Sequence, residues 1–345
     1  RMSLWVDKYR PTQLNQLTIN SDQATCLRQL VERDDFPHLL FYGPSGAGKK
    51  TRIHCLLREL YGTGTEQVRL ETKAFTAPSG KKLEVQTVSS NYHIELTPSD
   101  VGIYDRVVVQ EVVKQMAQTA QIDAATQKEF KVVVLMETDE LTKDAQHALR
   151  RTMEKYSGNC RLILCCESLS RVIEPLRSRC MAIRVRSPTD KEIEGVVRDV
   201  CGKEGVSITE GKIRQLVEKS KGNLRRALLM LEASEASSQS DVVVPEWEVY
   251  VKETAKIIMQ RMNADTLVTV RNRMYELISR CIPPQVIFVH LVYALLVHTP
   301  THLKEEIVDT AAEYEHRLTK GSKAIFHLEA FVASFMHILS SSTKK

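Results

Sequence analysis

The chain has 345 residues, 43% of them hydrophobic and 26% charged, with a formal net charge of +5. That length holds two or three domains with full cores, and the composition excludes an intrinsically disordered scaffold. The mild positive excess permits nucleic-acid contact without requiring it, and no apolar run approaches about 18 residues without a charge, so no membrane span is expected.

The first ordered stretch is an aromatic and basic arm, Leu4-Trp5-Val6-Asp7-Lys8-Tyr9-Arg10-Pro11, ahead of an amphipathic helix in which Ala24, Leu27, Leu30 and Val31 share a face. Beside a nucleotide, Val6, Tyr9, Arg10 and Pro11 would clamp the adenine. Taken alone, the arm reads equally well as a tie-down of the N-terminal segment.

Next comes an apolar strand, His38 to Tyr42, and then Gly43-Pro44-Ser45-Gly46-Ala47-Gly48-Lys49-Lys50-Thr51, which has the G-x-x-x-x-G-K spacing of a phosphate-binding loop. Ile53, Leu56, Leu57 and Leu60 follow at helical spacing. Strand, glycine turn and helix together aim backbone N–H groups and a helix N-terminus at an anion, and Lys49 reaches the outer phosphates. The alternative is a glycine-rich turn with no ligand. One position departs from the pattern: the residue after the lysine is normally Ser or Thr, whose hydroxyl ligates Mg²⁺, and here it is Lys50. Thr51 is one place late, about 100° further round the helix. The expected site therefore holds ADP or ATP without a tightly bound Mg²⁺, and no metal ligand is assigned. Lys50 either offsets phosphate charge in the metal's place or points into solvent.

Gln67 to Thr72 reads as a strand; a turn cluster, Ala77 to Lys82, and the alternating Leu83, Val85 and Thr87 complete a hairpin with a basic tip. DNA contact is expected at Lys81 and Lys82. It is also expected at Arg106, at the start of a helix running from Tyr104 to Gln121, where a phosphate would meet a side chain and free amides. An exposed charged loop is the plainer reading. Lys131 to Met136 has the continuous apolar character of a strand buried on both faces of a parallel sheet. At its end Met136 takes the place of the metal-holding Asp of P-loop ATPases, leaving Glu137 either as a water-activating carboxylate or as a cap of the next turn. Further strands at Arg161 to Cys165 and Met181 to Val185, alternating with helices, complete an α/β parallel sheet. The eight cysteines show no C-x-x-C pair, and with no leader segment expected they read as free, buried thiols in a reducing compartment.

The LWVDKYRP arm, the HLLFYGPSGAGKKT loop, the KDAQHALRRTMEKY helix, the EPLRSRC turn and Gly222-Asn223-Leu224-Arg225-Arg226-Ala227-Leu228 stand in the order found in the small subunits of replication factor C, the eukaryotic sliding-clamp loader. Over essentially its whole length the chain resembles that family, and its Gly-Lys-Lys loop resembles the subunit at the end of the five-membered arc. The resemblance implies an AAA+ P-loop domain over residues 1–185, a helical lid over 186–236 and a helical collar over 237–345. Consistent with this, Thr189 to Glu192 is a capping box, and from Pro245 onward the chain reads as amphipathic helices, with Trp247, Tyr250, Phe288 and Tyr293 as bundle core.

The resemblance further implies that Lys49 and the Gly46 and Gly48 amides hold phosphates, that Arg225 is the lid's sensor arginine, and that Arg179 is an arginine finger reaching a neighbouring subunit. Glu167 stands where the family usually has a sensor asparagine. Lys50, Met136 and Glu167 converge on one hydrolysis-deficient site, as suits an end subunit whose own pocket receives no finger. The implied partners are the other subunits of a hetero-pentamer, the ring-shaped clamp and primer–template DNA, in the nucleus. A free-standing AAA+ remodelling ATPase and an assembly scaffold with an empty loop remain the alternatives.

Overall fold

The computed structural model describes residues 3–33, 35–76, 80, 82–118, 130–237 and 242–343. The chain divides into two compact units, residues 1–243 and 244–345.

The first unit opens with a short helix α1 (Trp5–Lys8) and α2 (Ser21–Glu32), then alternates strands and helices: β1 (Leu39–Tyr42), α3 (Lys49–Tyr61), β2 (Arg69–Thr76), β3 (Lys82–Ser89), β4 (His93–Leu96), α4 (Asp105–Gln118), β5 (Lys131–Leu135), α5 (Lys143–Lys155), β6 (Cys160–Cys166), α6 (Glu174–Arg177) and β7 (Met181–Arg184). The strands form one sheet in the order β2-β3-β4-β5-β6-β1-β7. The five strands from β4 to β7 in that order are mutually parallel. At one edge β2 and β3 are antiparallel to each other, as the expected hairpin requires, and β3 is also antiparallel to β4. Short links leave no room for a crossover helix, so these neighbours pair antiparallel.

The apolar run of β5 is buried on both faces, as its composition requires. Val133 and Leu135 face a core shared with Val108 and Val112 of α4 and Leu149 and Met153 of α5. Val132 and Val134 join the opposite core with Ile53, Leu56 and Leu57 of α3 and Leu27 and Leu30 of α2. Alternation with period 2 sorts one continuous run into two layers.

Three helices, α7 (Asp190–Glu204), α8 (Glu210–Ser220) and α9 (Leu224–Ala236), follow with their own core around Ile193, Val197, Leu216, Ala227 and Leu231. The capping box is present: Thr189 Oγ1 accepts from the Glu192 amide, and the Glu192 carboxylate accepts from the Thr189 amide at 2.8 Å. Trp5, Val6 and Tyr9 pack against this same core.

The second unit comprises α10 (Glu246–Gln260), α11 (Ala264–Ser279), α12 (Pro284–His298), α13 (Lys304–Lys320) and α14 (Ala324–Thr343) around Phe288, Leu291, Ile307, Phe331 and Phe335. Trp247 and Tyr250 pack against that core, but Tyr293 is 63% exposed and corrects the expectation that it is buried. Residues Ala324–Ser341 of α14 are long and apolar enough, by length and composition, to cross a membrane. Here Leu328, Phe331, Val332 and Phe335 supply the bundle core, and the Glu329 carboxylate pairs with Arg271. All eight cysteines are free thiols; Cys26 and Cys281 are exposed, against the expectation that the thiols are buried.

One buried carboxylate joins two helices. Asp105, 1% exposed, accepts from its neighbour Arg106's amide at 2.7 Å and from the Thr142 amide and hydroxyl at 2.7 and 2.9 Å, tying α4 to the N-cap of α5. Asp105→Ala is expected to lower stability by roughly 1.5–3 kcal/mol, because charge-assisted bonds are lost and buried donors are left unpaired. A urea titration showing an unchanged midpoint would contradict this.

Candidate nucleotide site

A cleft of about 1000 Å³ lies at the carboxyl ends of β1, β5 and β6, the end at which ligands sit in open α/β sheets. Its floor is the loop Ser45, Gly46, Ala47, Gly48, Lys49, Lys50 and Thr51; Met136 and Glu137 follow β5, and Cys166 and Glu167 close β6. Val6, Tyr9, Arg10 and Pro11 of the arm form one wall, and Val196 and Lys203 of α7 with Arg225 of α9 contribute from the lid.

The loop's shape explains its glycines. Gly43, at φ 148°, passes so close to β7 that a Cβ there would lie 2.0 Å from the Val185 carbonyl oxygen. Gly46, at φ 72°, abuts the Asn223 side chain of the lid, 1.9 Å from where its Cβ would stand. Pro44 and Gly43 turn their carbonyls to the Lys49 ammonium, which lies 3.0 and 2.6 Å away. A 13-residue helix thus begins at a glycine turn with Lys49 at its mouth and no acidic residue in its first turn, which fits the phosphates of a nucleotide.

The N-terminal arm is tied down, as one reading of it expected. It lines the cleft, and it is tied to the lid: the Tyr9 hydroxyl donates to Glu204 at 2.7 Å, Lys8 pairs with the same carboxylate, and the Trp5 amide donates to Glu232 at 3.1 Å. Arg10 is paired with Asp7 at 2.8 Å.

At the position of the missing metal ligand, the structure corrects the expectation for Lys50. Its ammonium is paired with Glu95 of β4 rather than left free for phosphates or solvent. His54, one turn along α3, holds the other oxygen of Glu95 at 3.1 Å. Burial opposes ionisation of this carboxyl, but the hydrogen bonds from His54 and Lys50 outweigh it and hold the group down at about 2. His93, two residues before Glu95 on β4, is pushed down to about 4 by burial and by the neighbouring His54. No local spacing links Lys50 to Glu95, so sequence reasoning missed it.

Glu137 has left-handed backbone, φ 52°, uncommon outside glycine, and its carboxylate accepts from Ser99 at 3.3 Å instead of capping the following turn. The capping role expected as an alternative is therefore not met. Asp139, which sequence reasoning passed over, is buried and accepts from the amides of Glu167 and Ser168 at 3.0 and 2.9 Å, joining the loops after β5 and β6. Asn223 caps α9 by accepting from the Arg226 amide at 3.0 Å, so the residue against Gly46 also sets the start of the helix that carries Arg225.

Arg179 is not among the residues that line this cleft. Glu154 of α5 holds its guanidinium through Nε at 2.9 Å and Nη2 at 2.7 Å, and Nη1 donates to the Pro175 carbonyl at 2.9 Å. Arg106 is exposed, and its own amide donates to the Asp105 carboxylate at 2.7 Å, so that amide is not free for a phosphate. Lys81 lies outside the described residues, as does the Lys82 side chain.

Because Glu95 ionises far below an ordinary carboxyl, its contribution to stability is complete above about pH 4.5 and is lost as pH falls toward about 2. Glu95→Gln is expected to lower the melting temperature at neutral pH, with the difference from wild type closing over that acidic window. A difference independent of pH would contradict the assignment.

Family models match three parts of the chain: "DNA polymerase III, delta subunit" over residues 19–189, "RCF1/5-like, AAA+ ATPase lid domain" over 195–235, and "Replication factor C subunit 3, C-terminal domain" over 247–343. The Thermotoga maritima RuvB Holliday junction branch migration motor superposes with a TM-score of 0.49 at 14% identity, over 72% of this chain and 79% of that one. Replication factor C subunit 3 of Bos taurus is 56% identical over 340 residues, 97% of this chain and 96% of that protein, and the Homo sapiens protein of the same name is 55% identical over the same shares. Replication factor C subunit 5 of Schizosaccharomyces pombe is 44% identical over 344 residues, 97% and 96%. With a P-loop α/β sheet, a three-helix lid and a C-terminal helical unit, and with this identity over nearly its whole length, the chain belongs to the replication factor C subunit family of AAA+ proteins.

Proposed function

We propose that this chain is a subunit of the replication factor C clamp loader, a nuclear hetero-pentamer that uses ATP to open the ring-shaped sliding clamp and place it on primer–template DNA. Its own cleft holds ADP or ATP without a tightly bound Mg²⁺ and does not hydrolyse it. One observation carries this reading: Lys50, Met136 and Glu167, the three departures from an ATPase pattern, line the same cleft as the loop lysine Lys49.

The chemistry follows from those side chains. Mg²⁺ on a bound nucleotide bridges phosphate oxygens and neutralises the charge that develops during transfer. In its place this cleft offers a thioether, an ammonium already paired with a carboxylate, and a second carboxylate at Glu167 that phosphates repel. Lys49, the loop amides and Arg225 still suit phosphate binding. Arg179, away from the cleft and held in a fixed posture by Glu154 and Pro175, acts on the neighbour's nucleotide, where an arginine supplied in trans accelerates transfer by roughly 10³–10⁵.

Mass analysis of nucleotide released from the purified protein tests the first part: a chain that carries none would be a scaffold with an empty loop. For the second, Arg179→Ala in the reconstituted complex is expected to leave nucleotide retention by this chain unchanged while lowering steady-state ATPase measured with clamp and DNA. An unchanged rate would remove Arg179 from the role.

A further inference from the structure

The first turn of α3 carries three cations, Lys49, Lys50 and Arg52, and no acidic residue. A helix N-terminus is already partly positive, so this placement is unfavourable unless anions are close. Lys49 stands at the loop's mouth and Lys50 is paired with Glu95. Arg52 is different: it is 2% exposed, and among the described residues its guanidinium bonds only to main-chain carbonyls, those of Ala47 at 3.2 Å, Gly48 at 3.3 Å and Ile19 at 2.7 Å. Among the described residues its Nε is buried with no partner. Glu192, a carboxylate whose field reaches it, is held by Arg186 through two bonds of 2.6 and 2.7 Å. Burial lowers the pKa of Arg52, yet an arginine stays charged in proteins, so a buried cation lies beneath the loop with no carboxylate bonded to it among the described residues.

Geometry gives that cation a task. Across a trans peptide the C=O and the following N–H point in opposite directions, and the chain has no cis peptide among its described residues. The Gly48 carbonyl accepts from the Arg52 main-chain amide at 3.1 Å as well as from the guanidinium, whereas the Ala47 carbonyl is held by the guanidinium, so the side chain turns the Gly48 amide the other way, toward the cleft this residue lines. The third bond ties the loop to Ile19, which lines the same cleft.

On the reading that the cleft holds a nucleotide, we propose that Arg52 is a positioning residue for phosphate binding. It orients the Gly48 amide from beneath the loop and supplies a desolvated positive charge whose counter-ion is the phosphate group. The prediction is selective: what Arg52 stabilises is the phosphate end of the ligand, so its removal acts on ADP and spares adenosine.

The test titrates ADP and adenosine, in EDTA, onto the full chain in the reconstituted complex, comparing wild type with Arg52→Met and Arg52→Lys. Arg52→Met, which keeps length and removes charge and donors, is expected to weaken ADP by about ten- to a hundredfold, the scale of lost bonds involving a charged group. Adenosine affinity should change less than about twofold on the same scale, and Arg52→Lys should recover part of the ADP affinity. Equal losses for ADP and adenosine would mark a merely structural residue and overturn the proposal, as would wild-type ADP affinity in Arg52→Met. If Arg52→Met does not fold, the ADP-to-adenosine ratio of Arg52→Lys decides in the same way. A wild-type chain that binds no ADP would overturn the nucleotide reading itself, and this inference with it.

Discussion

The pairing of β1 with β6 on one side and β7 on the other decides where everything else in the first unit falls. Tyr42 stands level with Cys166 and with Arg184, so the loop after β1, Glu167 after β6 and Val185 after β7 reach the same edge of the sheet. The register is enforced by burial: Leu39, Leu40 and Phe41 are fully enclosed, and a slip of one residue would exchange the side chains facing the two cores. Gly43 is the consequence, because only a residue without a side chain passes Val185 at that distance.

The electrostatics of the cleft follow from what surrounds the first turn of α3. Three cations there are handled in three ways: one at the loop's mouth, one neutralised by a buried carboxylate on β4, and one beneath the loop on backbone carbonyls. A site with a metal would concentrate acidic ligands at this point. Here the buried acid, Glu95, faces protein cations, and the strand-end position of a metal-holding Asp is Met136.

The lid and the arm form a second physical layer. Trp5, Val6 and Tyr9 share the lid's core, and Glu204 and Glu232 fasten the arm by hydrogen bonds, so the wall of the cleft made by residues 6–11 is built onto α7 and α9. Asn223 meets Gly46 directly, which links the lid's third helix to the loop itself. These contacts make the N-terminal arm part of the site rather than an appendage.

Local pattern was enough for much of this. The spacing around Lys49, the alternation and runs in the strands, the Thr189 capping box and the ordered motifs of the replication factor C family were legible because glycine conformation, side-chain period and capping chemistry act over a few residues. Spacing pointed to Lys49, Lys50, Met136 and Glu137, the family resemblance to Glu167 and Arg225, and all six line one cleft. Only the tertiary structure decided that Lys50 faces Glu95, that Glu154 holds Arg179, that Asp105 takes the amide of Arg106, that Tyr293 is exposed, and that Arg52 lies under the loop. Each of these depends on which strand or helix packs beside which. Burial and pairing between segments tens of residues apart are settled by sheet order and core packing, to which a residue's own neighbours in the chain carry no signal.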